Sequence, residues 1–296
     1  MFRNVHVGVD GGPTGRDAIR LATALAERGA RLALVHIHGS ELAPDDAPDL
    51  AFGATEPRDA RKLLEAERDA AQIDAELISG CAPSVGRGLR ALAEKHAVDL
   101  LVVGSHPRGA ASLLGDDTRA ALNGAPCAVA IAPRDYTAPA AGLATVGVGY
   151  DYSVESQAAL AAARALAARN GAKVEVLYVL ALPHGASTTR SDAAEVLDEG
   201  RGYAQEQLSS LEGVDATASY GNPGEELAAL SDRVDLLVIG SRSLGPVRRW
   251  LLGSTASHLA GHARCPLLVL GRTATIQAQI AAGHAGDSQA HLDTAP

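Results

Sequence analysis

Residues 240–255 read GSRSLGPVRRWLLGST, and this stretch holds the parts of an anion cradle: glycines at 240, 245 and 253, the hydroxyl pair Ser254 and Thr255, and the guanidinium groups of Arg248 and Arg249. A glycine just before a helix lets backbone approach a ligand closely, and the unpaired N–H groups of the helix's first turn carry partial positive charge. That charge stabilises a nearby anion by about 0.3–1 kcal/mol, and by about 2 kcal/mol when partly buried. Micromolar affinity needs about 8 kcal/mol, so the cradle must act together with other contacts, such as a stacked base. The same residues also suit a plain helix cap with turning glycines, and spacing alone is consistent with either. The segment contains no Asp, Glu or His. A hydrolase needs a positioned base, so the expected chemistry is binding without designed turnover, with at most slow hydrolysis.

The elements that must position this cradle are legible because the chain repeats itself. VDLLVVG at 98–104 returns as VDLLVIG at 234–240, each followed by serine. Asp10 and Asp151 each end an apolar run, and Gly115 with Gly253, Cys127 with Cys265 and Arg134 with Arg272 extend the register. The offset grows from 136 to 138 between Ser105 and Gly115, so the first half's loop is two residues shorter than the cradle. In the second half, apolar runs at 145–149, 172–179, 214–219, 236–240 and 266–270 alternate with helical patterns at 153–169, 192–211, 224–232 and 254–262. The first half repeats the series, with strands near 5–9, 31–37, 74–79, 100–104 and 128–132 and helices near 14–27, 58–72, 84–96 and 116–123. Strands alternating with helices of this length predict a parallel sheet covered on both faces. In such a sheet ligands gather at the carboxyl ends of the strands, where the strand order reverses. The acidic, proline-bearing stretch 39–57 is expected to be a surface loop and 273–296 a disordered tail.

Three residue patterns, VGYDYSVESQAAL ending its strand at Asp151, the VLYVL-type strand at 176–180, and the loop form G-x2-G-x9-G-[ST], give the second half its resemblance to a universal stress protein domain. Gly240, Gly253 and Ser254 fall on the loop form, and Ser243 stands where the family has its second glycine. The resemblance covers nearly the whole chain as two domains, 1–135 and 143–272. It implies tandem Rossmann-like units of the adenine nucleotide α-hydrolase-like kind, each a five-stranded parallel sheet flanked by four helices. It further implies ATP with Mg²⁺ as ligand: Asp151 on the ribose or the adenine edge, the backbone of Val179 on the base, and Gly240, Ser243, Gly253, Ser254 and Thr255 around the phosphates. The family's last strands commonly pair across a dimer axis, so 127–132 and 266–270 are expected to make a homodimer or an intramolecular pseudo-dimer. A nucleotide-dependent stress-response switch with a protein partner of unknown identity is the implied role. The alternative is an interaction module of the same fold that binds no nucleotide.

In the first half GSHPRGAASLLGDDTRA sets Pro107 at the second-glycine position and Asp116 and Asp117 in place of the hydroxyls. Two carboxylates at about 4–6 Å from a phosphate cost on the order of 1–4 kcal/mol each, so no ATP is expected there. A net charge of −9, from 35 acidic against 26 basic residues, disfavours a general nucleic-acid surface and leaves room only for a local basic patch. No stretch approaches the roughly 20 apolar residues of a membrane helix, and the amino-terminal run enters a strand directly, so a cytoplasmic protein is expected. Cys81, Cys127 and Cys265 are too scattered for a disulfide framework or a zinc site and read as buried inert thiols; the alternative, a redox contact between Cys127 and Cys265, requires the halves to meet near those positions. His258 and His262, four apart with no intervening Glu, read as a solvated helix face rather than a metal motif.

Overall fold

The structure is a computed structural model that describes residues 1–39, 57–105, 124–181, 190–241 and 253–271. The expected acidic loop (apart from its ends), the helix at 116–123, Ser243 and the expected tail lie outside the described residues. The first half contributes β1 (Asn4–Gly8), α1 (Pro13–Leu25), β2 (Arg31–His38), α2 (Pro57–Ala71), β3 (Glu76–Cys81), α3 (Val85–Lys95), β4 (Leu100–Gly104) and β5 (Ala128–Ala132). The second contributes β6 (Thr145–Tyr150), α4 (Val154–Asn170), β7 (Lys173–Leu180), α5 (Arg190–Leu208), β8 (Asp215–Tyr220), α6 (Pro223–Leu230), β9 (Leu236–Gly240), α7 (Ser254–His262) and β10 (Leu267–Leu270).

All described strands join one ten-stranded sheet in the order β3-β2-β1-β4-β5-β10-β9-β6-β7-β8. Within each half the pairing is parallel. The halves meet at a single antiparallel seam, where Val129, Ala130 and Ile131 of β5 face Val269, Leu268 and Leu267 of β10. The last strands therefore pair within one chain, making a pseudo-twofold unit. Each half reverses strand order between its first and fourth strands, which opens a crevice at the carboxyl ends of β1 and β4 and of β6 and β9.

The duplicated phrase has a structural cause that periodicity does not reveal. Asp99 Oδ2 accepts from the amides of Arg3 and Asn4 at 2.7 and 3.0 Å, and Asp235 Oδ2 accepts from those of Ala144 and Thr145 at 2.7 and 2.9 Å. Each aspartate thus satisfies two amides at the start of the neighbouring strand and sets its register. The all-aliphatic strands that follow are buried on both faces, as a sheet with helices on both sides requires.

Helix starts follow local chemistry. Ser84, Ser153 and Asn222 cap α3, α4 and α6 by accepting from Arg87, Ser156 and Gly224. One core layer runs without interruption from Val5, Val7 and the buried face of α1 to Val146, Val148 and the buried face of α4. Arg169, near the end of α4, crosses between the halves and donates to the carbonyl oxygens of Ala24, Leu25 and Ala26 at 2.9–3.1 Å. It supplies a cation and three donors to the carboxyl end of α1, where carbonyls lack helical partners. No helix among the described residues is long and apolar enough to cross a membrane.

Candidate functional site

At the β6/β9 crevice lies a cavity of about 360 Å³. Tyr150, Asp151, Ser153 and Ser156 border it from the end of β6 and the first turn of α4, Leu177, Val179 and Ala181 from β7, and Ile239, Gly240 and Ser241 from β9. Pro223 and Leu227 of α6 close one side, and Gly253, Ser254, Thr255 and Ala256 form the start of α7. Six of the seven residues singled out from the sequence, Asp151, Val179, Gly240, Gly253, Ser254 and Thr255, therefore meet around one space; the seventh, Ser243, is outside the described residues. Ser153, Ser156, Ser241 and the apolar wall of Leu177, Leu227 and Ile239 were not singled out. The S-x-x-S spacing after Asp151 was the available signal for the first two.

Asp151 is held by a short local network. Its Oδ1 accepts from the Ser153 amide at 3.1 Å and from the Ser153 hydroxyl, while the Asp151 amide donates to Ser156 Oγ at 3.3 Å. Ser156, buried, donates its hydroxyl back to the Ser153 carbonyl at 3.0 Å. The turn is thereby tied to the first turn of α4.

The two described glycines of the cradle, Gly240 and Gly253, differ in what they do. A Cβ on Gly240 would stand 2.5 Å from the Glu155 carbonyl carbon, and one on Gly104 would stand 2.3 Å from the Thr14 oxygen. In both halves the fourth strand ends on glycine because the first helix passes directly over it. Gly240 borders the cavity, but its missing side chain is explained by packing. Gly253 has nothing within 4 Å of its Cβ position, lies at φ −62° and caps α7 without a side-chain hydrogen bond. Neither its backbone conformation nor the described neighbours call for glycine there, and the first amides of α7 receive no side-chain acceptor from their cap.

The thiols are placed by the seam. Val129 faces Val269, so the ladder sets Cys127 and Cys265 at opposite ends of the β5–β10 pair, and the redox contact entertained from sequence does not form. Burial pushes both thiols up to about 12. On α7 the rings of His258 and His262 stack at 3.9 Å and 8°. The expectation of a solvated face holds for His262 but fails for His258, which is half-buried against Gly224. Burial, then His262, lowers the His258 pKa, against a raising contribution from Glu225. Among the described residues no group of three His, Cys, Asp or Glu could hold a metal ion.

The family comparison agrees with this geometry in both halves. A model of the Universal stress protein family matches residues 1–133 and again 143–271. A universal stress protein of Thermus aquaticus is 30% identical over 133 residues, covering 43% of this chain and 97% of that protein. One from Mycobacterium tuberculosis strain H37Rv is 27% identical over 284 residues, covering 90% of this chain and 96% of its own length. The crystal structure of a universal stress protein from Archaeoglobus fulgidus superposes with a TM-score of 0.59 at 18% identity, covering 92% of this chain and 99% of that one, which supports the fold. With one family matched twice along a duplicated α/β chain, this protein belongs to the Universal stress protein family as a tandem of two such domains.

Proposed function

We propose that the second half binds an adenine nucleotide, ATP with Mg²⁺, and that occupancy of this site is a signal read by a protein partner in the cytoplasm. The observation that carries the reading is the cavity itself. It joins an uncapped helix start bearing two hydroxyls to a carboxylate fixed at the neighbouring strand end, across an apolar wall of Leu177, Leu227 and Ile239. The three parts suit the three chemistries of a nucleotide: α7 amides with Ser254 and Thr255 for phosphate, Asp151 for a ribose hydroxyl or base edge, and the wall with the Val179 backbone for the base. No described cavity residue other than Asp151 carries a charge, so Mg²⁺ would arrive with the triphosphate, keeping phosphate and water ligands. Asp151 is the cavity's one described candidate base, and its Oδ1 already accepts from the Ser153 amide and hydroxyl. A carboxylate engaged in closing its own turn favours binding over turnover.

Equilibrium dialysis with Mg·ATP, alongside the fluorescence of Trp250, the single tryptophan, tests this. One nucleotide per chain is expected. Two would overturn the inequality of the halves, and none would favour the interaction module that binds no nucleotide. Gly253→Asp should lower affinity more than about 100-fold without unfolding, since its side chain enters open space and sets a carboxylate beside the phosphates.

A further inference from the structure

Beside the cavity stands a residue in a backbone conformation that its type resists. Tyr152 has φ +62°, in the left-handed region where bulky side chains are outliers. The matching residue of the first half, which likewise follows the strand-end aspartate, is Gly11 at φ +78°. Both turns are closed in the same way, by the aspartate Oδ1 accepting the amide two residues on: Gly12 at 2.9 Å and Ser153 at 3.1 Å. The second half thus builds with a strained tyrosine a turn that its twin builds with glycine.

The tyrosine ring is anchored. It meets Tyr150 edge-on at 5.0 Å and Tyr178 edge-on at 5.4 Å, while 40% of the residue remains exposed. Burial, then the phenols of Tyr150, Tyr178 and Tyr203, raises its pKa, consistent with a crowded aromatic cluster. By strand register the first half has Val9, Gly11 and His36 where the second has Tyr150, Tyr152 and Tyr178. The cluster stands beside the β6/β9 cavity, and Tyr152 lies between the two cavity residues Asp151 and Ser153.

We propose that Tyr152 is a positioning residue: its ring, pinned by Tyr150 and Tyr178, holds the 151–153 turn so that Asp151 is aimed at a bound nucleoside before the ligand arrives. Local strain retained at a site and offset by packing is a recognised route to preorganisation. This role rests on the nucleotide reading above, and it sharpens it by naming what distinguishes Asp151 from Asp10.

A double-mutant cycle on the full chain tests it, with Mg·ATP as probe. Tyr152→Gly should weaken binding about tenfold, within the range of coupling between contacting residues, and Tyr152→Phe should bind as the wild type, because the edge-on contacts need the ring and not the hydroxyl. In an Asp151→Asn background Tyr152→Gly should cost nothing further. Hydrogen exchange of the Ser153 amide, measured without ligand, should quicken in Tyr152→Gly. Additive losses in the cycle, or a lowered melting temperature with unchanged affinity, would overturn the role. A wild type that binds no Mg·ATP would remove the nucleotide reading itself, whereas unchanged Ser153 protection in Tyr152→Gly would overturn the positioning role whatever the ligand.

Discussion

Gly104 and Gly240 occupy equivalent places and make equivalent contacts, whereas Gly11 and Tyr152 occupy equivalent places and do not. The same division runs through both halves. Positions that shape the shared skeleton keep their residue and their contact: Asp99 with Asp235 at the strand starts, Cys127 with Cys265 beside the seam strands, Gly104 with Gly240 under the first helix. At the carboxyl ends of the first strands the aspartates Asp10 and Asp151 are kept with the same turn contact, but the residues beside them, Gly11 and Tyr152, differ. Internal duplication thus provides a control that a single domain lacks, because a residue maintained in both copies by the same contact is explained by folding. What differs between the copies is where a difference in ligand would be built.

The comparison can be broken most forcefully at the paired glycines. Gly104→Ala and Gly240→Ala should each destabilise by about 3 kcal/mol, the upper range for overpacking, because the new methyl would meet helix backbone rather than a movable side chain. Denaturant midpoints check this. A stable Gly240→Ala protein that had lost only nucleotide affinity would show that the second glycine serves the ligand instead.

A smaller effect separates the halves by pH. His6 is 2% exposed on β1 with its ring edge-on to His96 at 5.2 Å, whereas the matching residue in β6 is Gly147. Burial, then His96 and Arg31, lowers the His6 pKa from 6.5 to about 4. Between those values the unfolded chain takes up a proton that the folded chain refuses, so stability should fall as pH drops from 6.5 and level off below about 4. Amide exchange in β1 and α3 should rise first, and His6→Gln should flatten the dependence. Equal acid sensitivity in both halves would remove this distinction.

The smallest effect is a sharpening of the likeness. Cys127 and Cys265 are buried with raised pKa values and Cys81 is exposed, so a thiol reagent should modify one cysteine in the native protein and three after denaturation. Rapid native reaction of either seam cysteine would show that the seam opens.

Much of the skeleton was legible because it is written in local periodicity. The sequence pattern gives 100–104, 128–132, 236–240 and 254–262 at the bounds the structure shows, and the other described elements within about three residues. The site was partly legible, since a glycine before a helix and an aspartate ending a strand are local signals. The remainder depends on contacts between distant residues. Nothing near Gly240 announces that Glu155 will lie over it, nothing near His6 announces His96, and a tyrosine with positive φ follows no turn rule. The duplicated Val-Asp-Leu-Leu phrase signals a buried strand, but the reason for its aspartate lies in the distant amides it holds.

The antiparallel seam carries one more consequence. A half released from the other would bear a bare β5 or β10 flank, a row of unmet backbone donors and acceptors that invites another strand. An identical copy is the nearest remedy, and a symmetric pair must accept every substitution twice. Covalent linkage lifts that constraint: here each lobe is always supplied with its neighbour, so one can lose a property while the other retains it, and the assembly still closes.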